Sequence, residues 1–303
     1  MSLDQKLAFA TLGFILPLSF SIRPTIANTV LEKVAKTGTL TVGTSKDAFP
    51  FAYRDGKGQL TGYSVDMVKL IEKQLEQELK RPITLKLVSL APDERISSLL
   101  TSKVDLVCDA SSFTWKREQD IDFSVSYGLT GTRLLVKRGS SLWGPESLVG
   151  KRIGVLAQTT NELSIRQAQP KAQVVVLSDR NEGYKALQAG KIDAFASDGI
   201  LLEGWLQTAA NANKFDIVGY SYSEEGIACM LPENNSTFRD TVNYSLIHFM
   251  QGFLAGKQPN VATFDRWFGS SGVAPLTKDL RDLVTENMRL TLDSLEQLPE
   301  NTL

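Results

Sequence analysis

Leu100-Thr101-Ser102-Lys103-Val104-Asp105 and Ala189-Gly190-Lys191-Ile192-Asp193 are one short phrase written twice: a helix end, a turn, a lysine, a β-branched apolar residue and an aspartate. Five or six residues can match by chance, but each copy here closes the same longer pattern. Ahead of the first lie a short apolar strand, Leu40-Thr41-Val42-Gly43, and the turn-rich Asp55-Gly56-Lys57-Gly58. From about Ser64 the apolar residues Met67, Leu70, Ile71, Leu75 and Leu79 keep helical spacing and leave Glu72, Glu76 and Lys80 to water. Ile83 to Val88 alternates as a strand does, Ile96, Leu99 and Leu100 mark a second helix, and Asp105-Leu106-Val107-Cys108 a third strand. The later copy repeats the order: a strand from Lys151 to Leu156, a helix from Asn161 to Gln167, a strand Val174-Val175-Val176-Leu177, a helix marked by Tyr184, Ala186 and Leu187, and a strand Asp193-Ala194-Phe195-Ala196. Two successive β-α-β-α-β units predict an α/β protein of two similar lobes, each a mostly parallel sheet with helices on both faces.

Composition agrees with two lobes and narrows the chemistry. A chain of 303 residues is long enough for two domains, and 42% hydrophobic with 22% charged residues suits packed cores rather than disorder. Thirty-three basic against 34 acidic residues argue against a cationic face for nucleic acid. A single histidine, His248, and two cysteines, Cys108 and Cys229, are too few for a Cys/His zinc cluster, so neither metal nor cofactor is expected. His248 falls in a helical pattern (Phe238, Val242, Leu246, Met250) and reads as a helix residue, not a triad base. No phosphate-cradling glycine motif follows a strand. Glu224-Glu225 reads as a solvated loop pair.

Residues 1–27 read as an export signal: Lys6 precedes the apolar run from Leu7 to Phe20, and Thr25-Ile26-Ala27 offers a small residue for cleavage. The run is shorter than the roughly 20 residues that cross a bilayer core, although a retained anchor is the competing reading. Asp4 offsets Lys6, and no cysteine directly follows the run for lipid attachment. The expected location is the periplasm. In that oxidising compartment Cys108 and Cys229 read equally as a disulfide or as two buried thiols.

In open α/β sheets, ligands bind beyond the carboxyl ends of the strands. That rule selects residues 44–48, 109–117, 157–160 and 197–199, all polar loops after apolar strands. Arg117 offers a fork of donors for a carboxylate, Ser111, Ser112, Thr159 and Thr160 offer hydroxyls, and Asp198 a negative charge directly after a strand. One at a time these are ordinary loop residues. As a set they are what a zwitterion requires at its two ends.

The chain resembles the family 3 extracellular solute-binding proteins of bacterial ABC importers for polar amino acids. Carrying the resemblance, in order, are Thr41-Val42-Gly43 with Pro50-Phe51-Ala52-Tyr53, Gly62-Tyr63-Ser64-Val65-Asp66, Thr114-Trp115-Lys116-Arg117, Ile121-Asp122-Phe123-Ser124, Gly150-Lys151-Arg152-Ile153-Gly154-Val155, Thr159-Thr160-Asn161-Glu162 and Ser197-Asp198. Gly131-Thr132-Arg133-Leu134-Leu135, Cys229-Met230-Leu231, Phe264-Asp265-Arg266-Trp267-Phe268 and the placing of the cysteines are similar to the glutamate/aspartate-binding branch.

The resemblance implies a periplasmic-binding-protein-like type II fold, two Rossmann-like lobes joined by a two-strand hinge near 127–135 and 219–228. Lobe 1 would be 28–128 with 226–303, including C-terminal helices, and lobe 2 would be 129–225. It implies that Arg117 clamps an α-carboxylate with Ser112 and Thr160, that Asp198 and the carbonyl near Ala110 take the α-ammonium, and that Tyr63 and Ala48 wall the pocket. The side-chain end departs from the branch: Ser45 stands where an arginine is found and Arg180 where a histidine is found, so acidic and amide ligands (glutamate, aspartate, glutamine, asparagine) both remain open. A monomer delivering its ligand to a membrane permease is expected. The alternative is a cleft enzyme resembling cyclohexadienyl or arogenate dehydratases, with Asp198 as the obvious general acid.

Overall fold

The computed structural model describes residues 29–295, so the expected export signal lies outside the described residues. Helix α1 (Val30–Thr37) opens on a capping box, Thr29 accepting from the Glu32 amide while Glu32 accepts from that of Thr29. The first lobe then runs through β1 (Thr39–Thr44), the hairpin strands β2 (Asp47–Ala48), β3 (Ala52–Arg54) and β4 (Leu60–Thr61), α2 (Tyr63–Leu79), β5 (Thr84–Ser89), α3 (Arg95–Leu100), β6 (Leu106–Val107) and β7 (Ile121–Phe123). After β8 (Gly128–Thr130) come β9 (Thr132–Lys137), β10 (Arg152–Leu156), α4 (Thr160–Ala168), β11 (Gln173–Leu177), α5 (Arg180–Gln188), β12 (Ala194–Asp198), α6 (Gly199–Thr208) and β13 (Phe215–Ile217). The chain returns through β14 (Glu225–Ile227) and β15 (Met230–Pro232) to α7 (Ser236–Leu254), α8 (Gln258–Phe268) and α9 (Lys278–Asp293).

The two main sheets have the same plan. One is ordered β5-β1-β6-β15-β7 and the other β11-β10-β12-β9-β13; in each, the first three strands are parallel and the fourth runs antiparallel to the third. The fourth strand reaches the first lobe from the returning chain and the second lobe from the outgoing chain. Both passages meet in the antiparallel ribbon β8–β14, Gly128 opposite Ile227 and Thr130 opposite Glu225.

Helices on both faces make the second lobe's strands apolar on both sides. Leu134, Val136, Ala194 and Ala196 face one core, and their neighbours Leu135 and Phe195 face another with Leu187 and Leu202. In the first lobe, Met67, Ile71 and Leu75 of α2 bury one face against α7 and the sheet. Full burial of each such side chain is worth about 1.5–3 kcal/mol. Gly62, at φ +142, starts α2 where any Cβ would lie 2.0 Å from the Phe51 carbonyl oxygen, which excludes every other residue type there.

Candidate functional site

The parallel strands of both sheets end toward one cleft. On the first lobe's side, β1 ends at Thr44, leading into Ser45, and β6 leads through Cys108 into Asp109. Asp109, fully buried, accepts from Ser45 Oγ at 2.8 Å and from Ser111 Oγ, and pairs with Arg95 Nη2 at 2.7 Å. Arg95, the first residue of α3, also donates to Ser45 Oγ at 3.0 Å. Two further bonds hold this wall, Tyr127 Oη to the Asp109 carbonyl at 2.7 Å and Thr44 Oγ1 to that of Cys108 at 2.8 Å. Cys108 and Cys229 are joined by a disulfide, which ties the end of β6 to the residue before β15.

The second lobe contributes Arg180, first residue of α5, and Asp198, last residue of β12, 2% and 3% exposed. Arg180 reaches across the cleft: its amide donates to Asp47 Oδ2 at 2.9 Å and its Nη1 to Oδ1 at 3.1 Å, while its Nη2 lies 3.9 Å from Asp198 Oδ2. Lys46 and Asp179 make a second, more exposed bridge between the lobes at 3.5 Å. Burial pushes the Asp198 carboxyl up to about 6, with Glu225 adding to the rise and Arg180 and Arg95 opposing it.

Arg117 spans the cleft on backbone oxygens, Nη1 to Ser112 O at 2.7 Å and Nη2 to Gln158 O at 3.0 Å. Burial, and then the nearby Arg95, lower its pKa, against Glu225, Asp109 and Asp198, which raise it. Among the described residues no carboxylate lies within ion-pair distance of it. A cavity of about 580 Å³ opens beside Arg117 between α3 and α4, lined also by Ile96, Gln158, Thr159, Thr160 and Leu163.

The structure therefore brings Ser45, Ala110, Ser111, Ser112, Arg117, Thr159, Thr160, Arg180 and Asp198 to the facing ends of the two sheets, with some hydroxyls already committed. Thr159 is the N-cap of α4, accepting from the Glu162 amide at 3.2 Å and donating to Leu156 O at 2.7 Å, and Ser111 is bound to Asp109. One expectation is corrected. Tyr63 does not wall the cleft: 1% exposed, it packs among Phe51, Phe264 and Phe268 with ring centroids 5.0–6.0 Å apart, in the first lobe's core. Ala48 is fully buried on β2, which packs against α5 of the second lobe.

Sequence reasoning missed Arg95, Asp47, Asp109 and Glu225. Asp109 opens a segment that the strand-end rule had selected; Arg95 has no sequence signal beyond beginning a helix after a strand. Of the pair read as solvated, Glu224 is exposed, but Glu225 is partly buried, accepts from Ser223 Oγ, and leaves Oε2 without a partner. His248 lies half-buried on α7, its ring parallel to that of Tyr244.

Residues 40–289 match the family described as bacterial extracellular solute-binding proteins, family 3. The chain is 28% identical over 247 residues to a glutamate/aspartate import solute-binding protein of Salmonella typhimurium strain LT2, covering 80% of each chain. An ancestral arginine-binding protein bound to glutamine superposes with TM-score 0.69 at 27% identity, over 77% of this chain and 99% of that one. A mutant of ArgBP from T. maritima does so with TM-score 0.71 at 23% identity, over 78% and 98%, and speaks for the fold alone.

Proposed function

The chain belongs to the bacterial extracellular solute-binding proteins of family 3, and from that premise we propose that it captures a polar L-amino acid between its lobes in the periplasm and hands it to an ABC-type membrane permease. The reading rests on one observation. A half-buried guanidinium carried by the first lobe, Arg117, and a buried carboxyl carried by the second, Asp198, lie on the same cleft. Arg117 takes the α-carboxylate, exchanging a neutral carbonyl partner for a charged one, with Ser112 and Thr160 completing that end. Asp198 takes the α-ammonium with the carbonyl near Ala110. The lobes bend apart at the β8–β14 ribbon to admit the ligand and close on it. The protein acts as a monomer and needs no metal.

The name of the Salmonella relative, an import solute-binding protein, supports binding without turnover. A buried carboxyl near 6 would also suit a general acid, which keeps the dehydratase reading testable. Incubation of the purified protein with prephenate-like acids is expected to yield no product; turnover would favour the enzyme. Arg117→Ala is expected to weaken amino-acid binding by about 2–5 kcal/mol, because it leaves a carboxylate unpaired in a closed cleft. Calorimetry showing unchanged affinity would remove Arg117 from the site.

A further inference from the structure

We propose that Asp109 sets the ligand's side-chain class: by neutralising Arg95 inside the cleft wall, it makes the site prefer an uncharged, amide-bearing amino acid over its acidic counterpart. This rests on the function proposed above. Among the described residues, Arg95, Arg117 and Arg180 meet at the strand ends, and the first and last are matched within the protein; Arg166, which also lines the cavity beside Arg117, pairs with Glu162. Arg95 and Asp109 lie 2.7 Å apart with side chains 4% and 0% exposed, and Ser45 bridges them. Arg180 and Asp47 lie 3.1 Å apart with side chains 2% and 8% exposed. Of these three, Arg117 has no carboxylate partner among the described residues, and one α-carboxylate satisfies it.

A second carboxylate on the ligand would enter a wall whose cations are already paired, beside the buried charges of Asp109 and Asp198. Desolvating it there without a free cation is unfavourable. Asp109 and Asp47 are equally committed and offer no free charge to a basic side chain. Uncharged hydrogen-bonding capacity does remain: Arg95 Nε and Arg180 Nε are buried donors without acceptors, a need that an amide oxygen meets.

Calorimetry with glutamine, asparagine, glutamate, aspartate and arginine on the full chain tests this. The expected result is that each amide binds at least about tenfold tighter than its acid. Asp109→Asn frees Arg95 and is expected to shift the acid-to-amide ratio about tenfold or more toward the acid. The double variant Arg95→Gln with Asp109→Asn removes both charges and is expected to keep the amide preference, which serves if the single variant does not fold. Glutamate binding as tightly as glutamine, or an unchanged ratio in Asp109→Asn, overturns this inference and leaves the proposed function standing. Binding of none of the five overturns both.

Discussion

At the scale of single residues the cleft is governed by which charges already have partners. Arg117 rests on two carbonyls from opposite lobes, a weaker arrangement than an ion pair and one that a carboxylate can displace. Asp198 is the complementary case, a buried carboxyl raised to about 6 and facing Glu225, Arg180 and Arg95. Its protonated form cannot pair with an ammonium, and a bound ammonium lowers its pKa. Affinity is therefore expected to be flat above about pH 6 and to fall below it by up to about tenfold per unit, with proton release on binding in that range. Titration calorimetry across pH in two buffers of different ionisation enthalpy measures both. Affinity unchanged from pH 7 to pH 5 would mean that Asp198 does not meet the ligand's charge.

Elements place these residues by their ends. Helix α5 begins at Arg180 because Asp179 caps it, accepting from the Glu182 amide at 2.9 Å, and that start sets Arg180 against Asp47. Helix α4 begins where Thr159 caps it, beside the Gln158 carbonyl that holds Arg117. The disulfide has the longest reach, joining residues 121 apart in sequence so that the returning β15 is tied beside β6. Closing a loop of that length restricts the unfolded chain, and Cys108→Ala with Cys229→Ala is expected to lower stability by about 2–5 kcal/mol. Denaturant unfolding of the oxidised protein and the double variant gives the difference; equal midpoints would show that the bond adds nothing to stability.

For the molecule as a whole, two sheets of one plan are joined by a two-stranded ribbon and touch across the cleft through Arg180–Asp47 and Lys46–Asp179. Only the first is buried, so it contributes most to holding the closed arrangement. Asp47→Asn is expected to shift the ligand-free protein toward open forms, read as a larger radius of gyration in solution scattering. Saturating ligand should return it to the compact value. No change between variant and parent without ligand would mean that this pair does not hold the lobes together.

Periodicity, strand-end loops and the repeated phrase determined the two-lobe α/β architecture, the order of its elements and the segments that converge on the cleft. They sufficed because helix and strand follow from local spacing, and a parallel sheet must place its strand ends together. The strand-end rule placed Arg117 and Asp198 on the cleft, Arg117 in the segment after β6 and Asp198 at the close of β12. Only the tertiary structure paired Arg95 with Asp109 and Arg180 with Asp47, moved Tyr63 into the core and joined the two cysteines. Those outcomes depend on which side chains meet across 14 to 133 residues of intervening sequence, and the identity of a buried charge's partner is a property of the packed molecule that no local pattern encodes.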